Sequence, residues 1–279
     1  MKWKNLFTAV KSLTTSEVKK MIDSHQAGDY QILDVRQPKE YQAAHLPDAI
    51  FIPLASLPDR VGELAKDKPT VAYCAVGGRS RAASQYLAGQ GFSEVYNMTG
   101  GIKAWQGLTA TGPEEAGMEH IVGDEDFTDG FALAYAMEDG LQQFYNILAA
   151  EATATAMQEL FRRLAGFEAK HKKRLEEEYG AEQKEGSLAN ALAGNSDVAT
   201  DIMEGGTSAS AYLETVRSRL SAPRDILDLA MTLESQALDL YGRLARKSTV
   251  DRTKKLFLRL AEEEKTHLRY LAVEFEKRV

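Results

Sequence analysis

Leu160-Phe161-Arg162-Arg163-Leu164-Ala165-Gly166-Phe167-Glu168-Ala169-Lys170-His171 returns, 96 residues later, as Leu256-Phe257-Leu258-Arg259-Leu260-Ala261-Glu262-Glu263-Glu264-Lys265-Thr266-His267. The same offset relates Glu138 to Glu234 and Tyr145 to Tyr241. What repeats is a set of metal-ligand side chains on helical spacing. Four carboxylates and two imidazoles make the ligand count of a dinuclear iron or manganese site inside a helical bundle.

The spacing can be tested for geometry. In each copy the two glutamates stand 30 residues apart, with midpoints at Thr153 and Thr249. A chain that turns at those midpoints has two equal arms. At about 1.5 Å per residue each glutamate then lies roughly 22 Å from the turn, level across a helix pair. Glu168 and His171 are related i, i+3 and share a helix face, as do Glu264 and His267. A single Glu-x-x-His on a charged helix reads as solvated surface. Two copies, each with its upstream glutamate, read as six ligands: Glu138, Glu168, His171, Glu234, Glu264 and His267. Hard carboxylates with one imidazole per metal suit iron or manganese better than structural zinc. Tyr145 and Tyr241 follow their glutamates by two turns, either as core aromatics or as donors to a ligand carboxylate. Glu262, Glu263 and Asp139 read as solvated faces, and His25 and His120 as surface or packing residues.

The rest of the chain follows from this centre. Residues 127–279 carry long helical periodicity, with helices expected at 127–151, 155–179, 222–247 and 250–277. Ser221, Pro223 and Asp225 start the third, and Ser248 and Thr249 are cap candidates for the fourth. Ser208–Leu220 forms a possible extra helix within the long connection between the second and third. Residues 111–126 read as a polar linker. Residues 1–110 alternate short β-branched runs with helical stretches, the pattern of a parallel α/β unit. Strands are expected at Tyr30–Val35, Ala49–Ile52, Thr70–Cys74 and Glu94–Tyr96. Helices are expected at Thr15–Ala27, Leu54–Ala65, Ser80–Gly89 and Gly101–Trp105, the third opening on Ser80 as N-cap.

Charge divides at the same place. The net charge of −7 is the sum of +3 over residues 1–110 and −10 over the remainder. An acidic second half argues against nucleic acid and anionic membrane as partners. One cysteine, Cys74, excludes an internal disulfide, a thiolate zinc site and a rubredoxin-type iron centre, and fits a reducing, cytoplasmic setting. The apolar run Leu6–Val10 is shorter than a signal-peptide core.

Cys74 ends an apolar run and is followed by Ala75-Val76-Gly77-Gly78-Arg79-Ser80 and a helical stretch. A strand, a glycine turn and a helix N-terminus aim backbone N–H groups at one spot. That cradle, with Arg79, should favour the thiolate. Composition alone would make Cys74 a buried packing residue; the continuation of the loop argues for a reactive thiol.

The stretch from about 127 to 279 resembles the ferritin-like superfamily, closest to its rubrerythrin-like branch. The resemblance implies a four-helix bundle with a dinuclear iron centre that reacts with peroxide or oxygen. The family's Cys-rich electron-delivery module is absent, and Ala237 stands where an extra glutamate is usual, leaving the simpler symmetric ligand set. Residues 12–107 resemble a single-domain rhodanese at three places: Asp34-Val35-Arg36 with Glu40-Tyr41 and His45-Leu46-Pro47, the Cys74–Ser80 loop, and Gly100-Gly101-Ile102-Lys103-Ala104-Trp105. Asp48 departs from the glycine usual after His-x-Pro. This resemblance implies that Cys74 takes a sulfane sulfur as a persulfide and passes it on, with Asp34 and Arg36 bracing the loop.

The expected molecule is therefore an α/β rhodanese-like domain (1–110), a linker (111–126) and an all-α ferritin-like bundle (127–279). The first expectation for its function is sulfur transfer from thiosulfate or a persulfide to an external thiol or cyanide. The alternatives are a diiron oxidoreductase that uses the persulfide, and a non-enzymatic iron- or sulfide-sensing scaffold. A homodimer through the bundle is an open expectation.

Overall fold

The computed structural model describes residues 9–116, 118, 127–182, 203 and 209–277. The chain divides into two compact units, Met1–Glu114 and Glu115–Val279.

In the first unit, five parallel strands are ordered β1-β5-β4-β2-β3: β1 Lys11–Leu13, β2 Gln31–Asp34, β3 Ala49–Phe51, β4 Thr70–Tyr73 and β5 Val95–Met98. β2 pairs with β3 on one side and β4 on the other, and β5 lies between β4 and β1. β2 and β4 are buried at every position, as central parallel strands covered on both faces must be. One apolar layer gathers Leu33, Ile52, Ala72, Cys74, Ala83 and Leu87; the other gathers Val18, Ile32, Tyr41, Val71, Tyr73 and Met98. Each fully buried aliphatic side chain contributes about 1.5–3 kcal/mol.

The connections differ from expectation in instructive ways. Helix α1, Thr15–Ser24, opens on a capping box in which Thr14 and Glu17 satisfy each other's backbone N–H. Helix α2, Pro38–Ala43, and strand β1 were not expected; each is too short to show periodicity. The expected helix Leu54–Ala65 is reduced to α3, Leu57–Arg60, and a 3-10 turn at Val61–Glu63. Pro58 has no N–H to extend a helix backwards, and Gly62 weakens it ahead. Helix α4 spans Gly78–Gly89, so Ser80 is not its N-cap. Gly77 is the cap instead, at φ 107°, a left-handed conformation that glycine alone adopts without strain. α5 is Gly101–Ala104.

The second unit is all-helical, a bundle with a ferritin-like arrangement. Its helices are α6 Phe127–Glu151, α7 Thr155–Glu182, α8 Ala209–Val216, α9 Pro223–Lys247 and α10 Asp251–Glu276. α6 packs along α7 and α9 along α10, and the pairs meet through α6 with α10 and α7 with α9. The breaks fall at residues 152–154 and 248–250, centred on Thr153 and Thr249, as equal arms require. α9 starts where Asp225 accepts from the backbone N–H groups of Ser221 and Ala222 and from the Ser221 hydroxyl, all at 2.8 Å. Ser248 and Thr249 do not cap α10, whose N-cap is Val250; Ser248 closes α9 by donating its N–H to the Leu244 carbonyl. The extra helix of the long connection is α8, followed by a 3-10 turn at Arg217–Arg219. His120 and most of the expected linker lie outside the described residues. Among the described residues no helix is long and apolar enough to cross a membrane.

Candidate functional site

Two sets of chemistry-bearing residues stand in the two units.

In the first, Cys74 follows β4 and lies at the base of the Ala75–Ser80 loop, 1% exposed, while Val76 at the loop tip is 62% exposed. The Gly77 N–H points at the sulfur at 3.1 Å, and the Ser80 hydroxyl lies 3.5 Å from it. Burial pushes the thiol pKa up, but the Ser80 hydroxyl and the backbone N–H groups of Ser80, Gly77 and Val76 outweigh it and hold it below the ordinary value. Arg79, expected to favour the thiolate, faces the Cys74 sulfur and makes two 2.7 Å bonds to the two carboxylate oxygens of Glu40. That pairing, with an opposing desolvation cost, raises Arg79 above its usual value and pulls Glu40 down to about 2.

Two structures hold the loop from below. Gly101 carries φ 58°, and a Cβ there would lie 2.2 Å from the Cys74 carbonyl oxygen. This close approach lets the N–H groups of Ile102 and Lys103 donate to the carbonyls of Cys74 and Ala75 at 2.9 and 3.1 Å. Ala75 thus contributes its carbonyl to the loop's anchor. Asp34 and Arg36 form a buried ion pair with a shortest contact of 2.6 Å. Arg36 also donates to the Ala44 carbonyl at 2.6 Å, and the Tyr73 hydroxyl donates to Asp34 at 2.7 Å. These groups tie the end of β2 to β4, one residue before Cys74. Sequence reasoning missed Glu40 as the partner of Arg79, Tyr73, and Asn97, whose Oδ1 accepts from Ser80 at 2.7 Å. Each lies 17 or more residues from its partner, and no local spacing signals the contact.

In the second unit, Glu138 on α6, Glu168 and His171 on α7, Glu234 on α9 and Glu264 on α10 are all buried, and the His267 side chain is 16% exposed. His171 Nδ1 lies 3.0 Å from Glu138 and 3.5 Å from Glu168. His267 Nδ1 lies 3.3 Å from Glu234 and 3.2 Å from Glu264. The two imidazoles stack, ring centres 4.4 Å apart, so the halves meet at one centre. Ligand atoms of Glu138, Glu168 and His171 fall within 4.8 Å of one another, as do those of His171, Glu264 and His267. Burial, then the neighbouring His267, pushes His171 down to about 4, which keeps the imidazole neutral. Burial pushes Glu234 up, but hydrogen bonds to Glu264 and His267 hold it below the usual carboxylate value.

This donor set fits a pair of divalent cations. Like charges at about 4 Å repel by roughly 4 kcal/mol even at an effective dielectric constant of 20. Four buried glutamates therefore need positive charge among them. Tyr145 and Tyr241 are fully buried and keep the repeat in their packing, 6.4 Å from Phe161 and 6.2 Å from Phe257. Asp139, Glu262 and Glu263 turn away into ion pairs with Lys172, Lys265 and Arg174. His25 hydrogen-bonds the Met21 carbonyl at 2.8 Å, at the end of α1.

Comparison with known proteins agrees with both halves. The family model described as rhodanese-like domain matches residues 14–108. The model described as rubrerythrin matches residues 129–214 and 225–278, half of the chain. A protein named thiosulfate sulfurtransferase GlpE from Pseudomonas syringae pv. syringae is 39% identical over 84 residues, covering 30% of this chain and 76% of that protein. A sulfurtransferase from Allochromatium vinosum is 41% identical over 88 residues, 31% of this chain and 82% of that one. A crystal structure of a rhodanese-like domain protein from Staphylococcus aureus shares 35% identity and covers 34% of this chain and 91% of that chain, at a TM-score of 0.32. The chain belongs to the rhodanese-like family through its first half and to the rubrerythrin family through its second.

Proposed function

We propose that this chain is a sulfurtransferase in which Cys74 carries sulfane sulfur as a persulfide, fused to a bundle that binds two iron or manganese ions. The observation that carries the first part is the convergence of the Gly77 N–H and the Ser80 hydroxyl on Cys74 Sγ at the base of an exposed loop. The names of the sulfurtransferase relatives point the same way. In this reading the Cys74 thiolate attacks the outer sulfur of a donor, thiosulfate or a persulfide. A new S–S bond forms, the donor's S–S bond breaks, and the leaving group keeps its electron pair. Donors on the loop from Ala75 to Ser80 hold the negative charge as it shifts. With one cysteine in the chain, an external thiol or cyanide takes the sulfur. Asp34 and Arg36 act only by holding the strand ends. We place the functional boundary between the units at the 111–126 segment, the protein in a reducing cytoplasm, and its partners among small molecules.

In the bundle, Glu138, Glu168, His171, Glu234, Glu264 and His267 would hold the metal pair, with Tyr145 and Tyr241 oriented toward ligand carboxylates. Such a pair supplies redox chemistry toward peroxide or oxygen when bound. The chain's own part is to keep the His171 imidazole neutral and to hold the glutamates in a buried centre. A second reading, an oxidoreductase that uses the persulfide, is favoured by the partial exposure of the His267 side chain, which leaves that side of the centre within reach of a small oxidant.

The test is sulfur transfer by full-length protein and by Cys74→Ala. Transfer lost in the variant supports the reading; transfer at the parent rate ends it. Peroxide consumption that needs both Glu168 and Cys74 would favour the second reading.

A further inference from the structure

We propose that Tyr270 is a one-electron relay residue of the bundle: it takes electrons at the surface from a small anionic hydrogen-atom donor of the enediol class and passes them inward through Phe167 to the His267 side of the six-residue centre. The proposal rests on the reading of the bundle as a redox-active metal site and names where electrons enter it.

The argument begins where the duplication fails. The offset of 96 that repeats the carboxylates and imidazoles also carries Arg163 onto Arg259 and Glu178 onto Glu274. Arg163 faces Glu274 and Arg259 pairs with Glu178, both across α7 and α10, so the two halves build the same frame. Inside that frame they differ. Phe167 corresponds to Glu263, and Tyr270 to Arg174. One turn from His171, Arg174 joins Glu263 as an ion pair. One turn from His267, the same two positions hold two aromatic rings.

Those rings continue the stack of imidazoles. His171 lies on His267 with centres 4.4 Å apart, and Phe167 stacks on His267 at 6.0 Å and 15° between planes. Tyr270 meets Phe167 edge to face at 5.2 Å. All three are contact separations for ring systems. Electron transfer falls steeply with the gap to be crossed, and this line of π systems crosses none wider than a contact. Tyr145 and Tyr241 are fully buried, so neither can meet an external reductant. Tyr270 is half-buried. Its hydroxyl oxygen accepts from Arg163 at 3.3 Å. The Lys170 ammonium stands 5.6 Å from the centre of the Phe167 ring, and the Arg163 side chain is 52% exposed. Two cations beside the phenol, on the acidic half of the chain, favour a small anion at this spot.

The step balances with peroxide as the oxidant. Tyr270 sends one electron inward and gives its phenolic proton to water, becoming a neutral tyrosyl radical. Two such electrons and two protons convert one hydrogen peroxide at the centre into two waters. Each radical takes a hydrogen atom from the donor, which re-forms the O–H bond and leaves the donor oxidised by one electron.

The experiment treats iron-loaded full-length protein with hydrogen peroxide and a nitroso spin trap, then maps the adduct by peptide mass spectrometry. The adduct is expected on Tyr270, erased by ascorbate, and absent from metal-free protein. Tyr270→Phe keeps the ring and should lose the adduct; Phe167→Leu keeps the phenol and should lower its yield. Both should retain the parent's metal content, which a merely structural role for the pair would not separate from the adduct. Peroxide consumption with the trap on Tyr145 or Tyr241 alone, an adduct on Tyr270 that forms without metal, or a yield undiminished in Phe167→Leu overturns the proposal and leaves the metal reading standing. Iron-loaded protein that consumes no peroxide removes that reading, and the proposal with it.

Discussion

Ser80 has one hydroxyl proton and two acceptors within reach, Cys74 Sγ and Asn97 Oδ1. The thiol pKa is lowered because the Ser80 hydroxyl and three backbone N–H groups favour the thiolate against burial. In the proposed sulfur transfer the thiolate is the attacking form, so the rate of persulfide formation should rise with pH through the folded-state pKa. Ser80→Ala removes a donor to the charged form, moves that inflection to higher pH, and slows the reaction at neutral pH by about three- to ten-fold. A pH–rate profile checks this, and an inflection that stays in place would exclude the hydroxyl from the role. Asp48 stands at φ 61°, the one described non-glycine residue with positive φ. Glycine there relieves the strain but loosens the unfolded chain, so Asp48→Gly should raise the stability of the first unit only modestly, by about 0.5–1 kcal/mol in urea titration. The loop was legible in the sequence because Cys74 to Ser80 is a contiguous strand–turn–helix. Glu40, Tyr73 and Asn97 were not, because they reach the cradle from other elements through sheet pairing and close packing.

Long helices announce themselves, and short elements do not. α6, α7, α9 and α10 run 25 to 28 residues, enough turns for apolar spacing to fix their limits within about three residues. β1 and α2, at three and six residues, hold too few repeats of either period. Within the bundle, equal arms about Thr153 and Thr249 bring the glutamates level. The stacking of His171 on His267 was beyond the sequence, because spacing fixes the face of a helix and not the separation between helices. The bundle's prediction follows from its four buried carboxylates. On the proposed ligand set, Glu264→Gln should bind at most one metal ion per chain against two for the parent, by elemental analysis. Without metal the same variant should unfold no earlier than the parent, since one negative charge has left a crowded interior. Full metal content in Glu264→Gln would remove Glu264 from the ligand set.

At the scale of the molecule, the change of sign in charge along the sequence falls close to the boundary between compact units at Glu114 and Glu115. Each unit has its own core and its own chemistry, so we expect two calorimetric transitions. Removing metal with a chelator should lower the transition of the bundle and leave that of the sheet unit in place. A single transition that moves as a whole would mean that the units fold as one. The two-centre account is tested most directly by one native mass spectrum of full-length protein, reconstituted with iron and treated with a persulfide donor. The account predicts one added sulfur atom, lost in Cys74→Ala, and two metal ions on the same chain. A chain that takes up neither would contradict it.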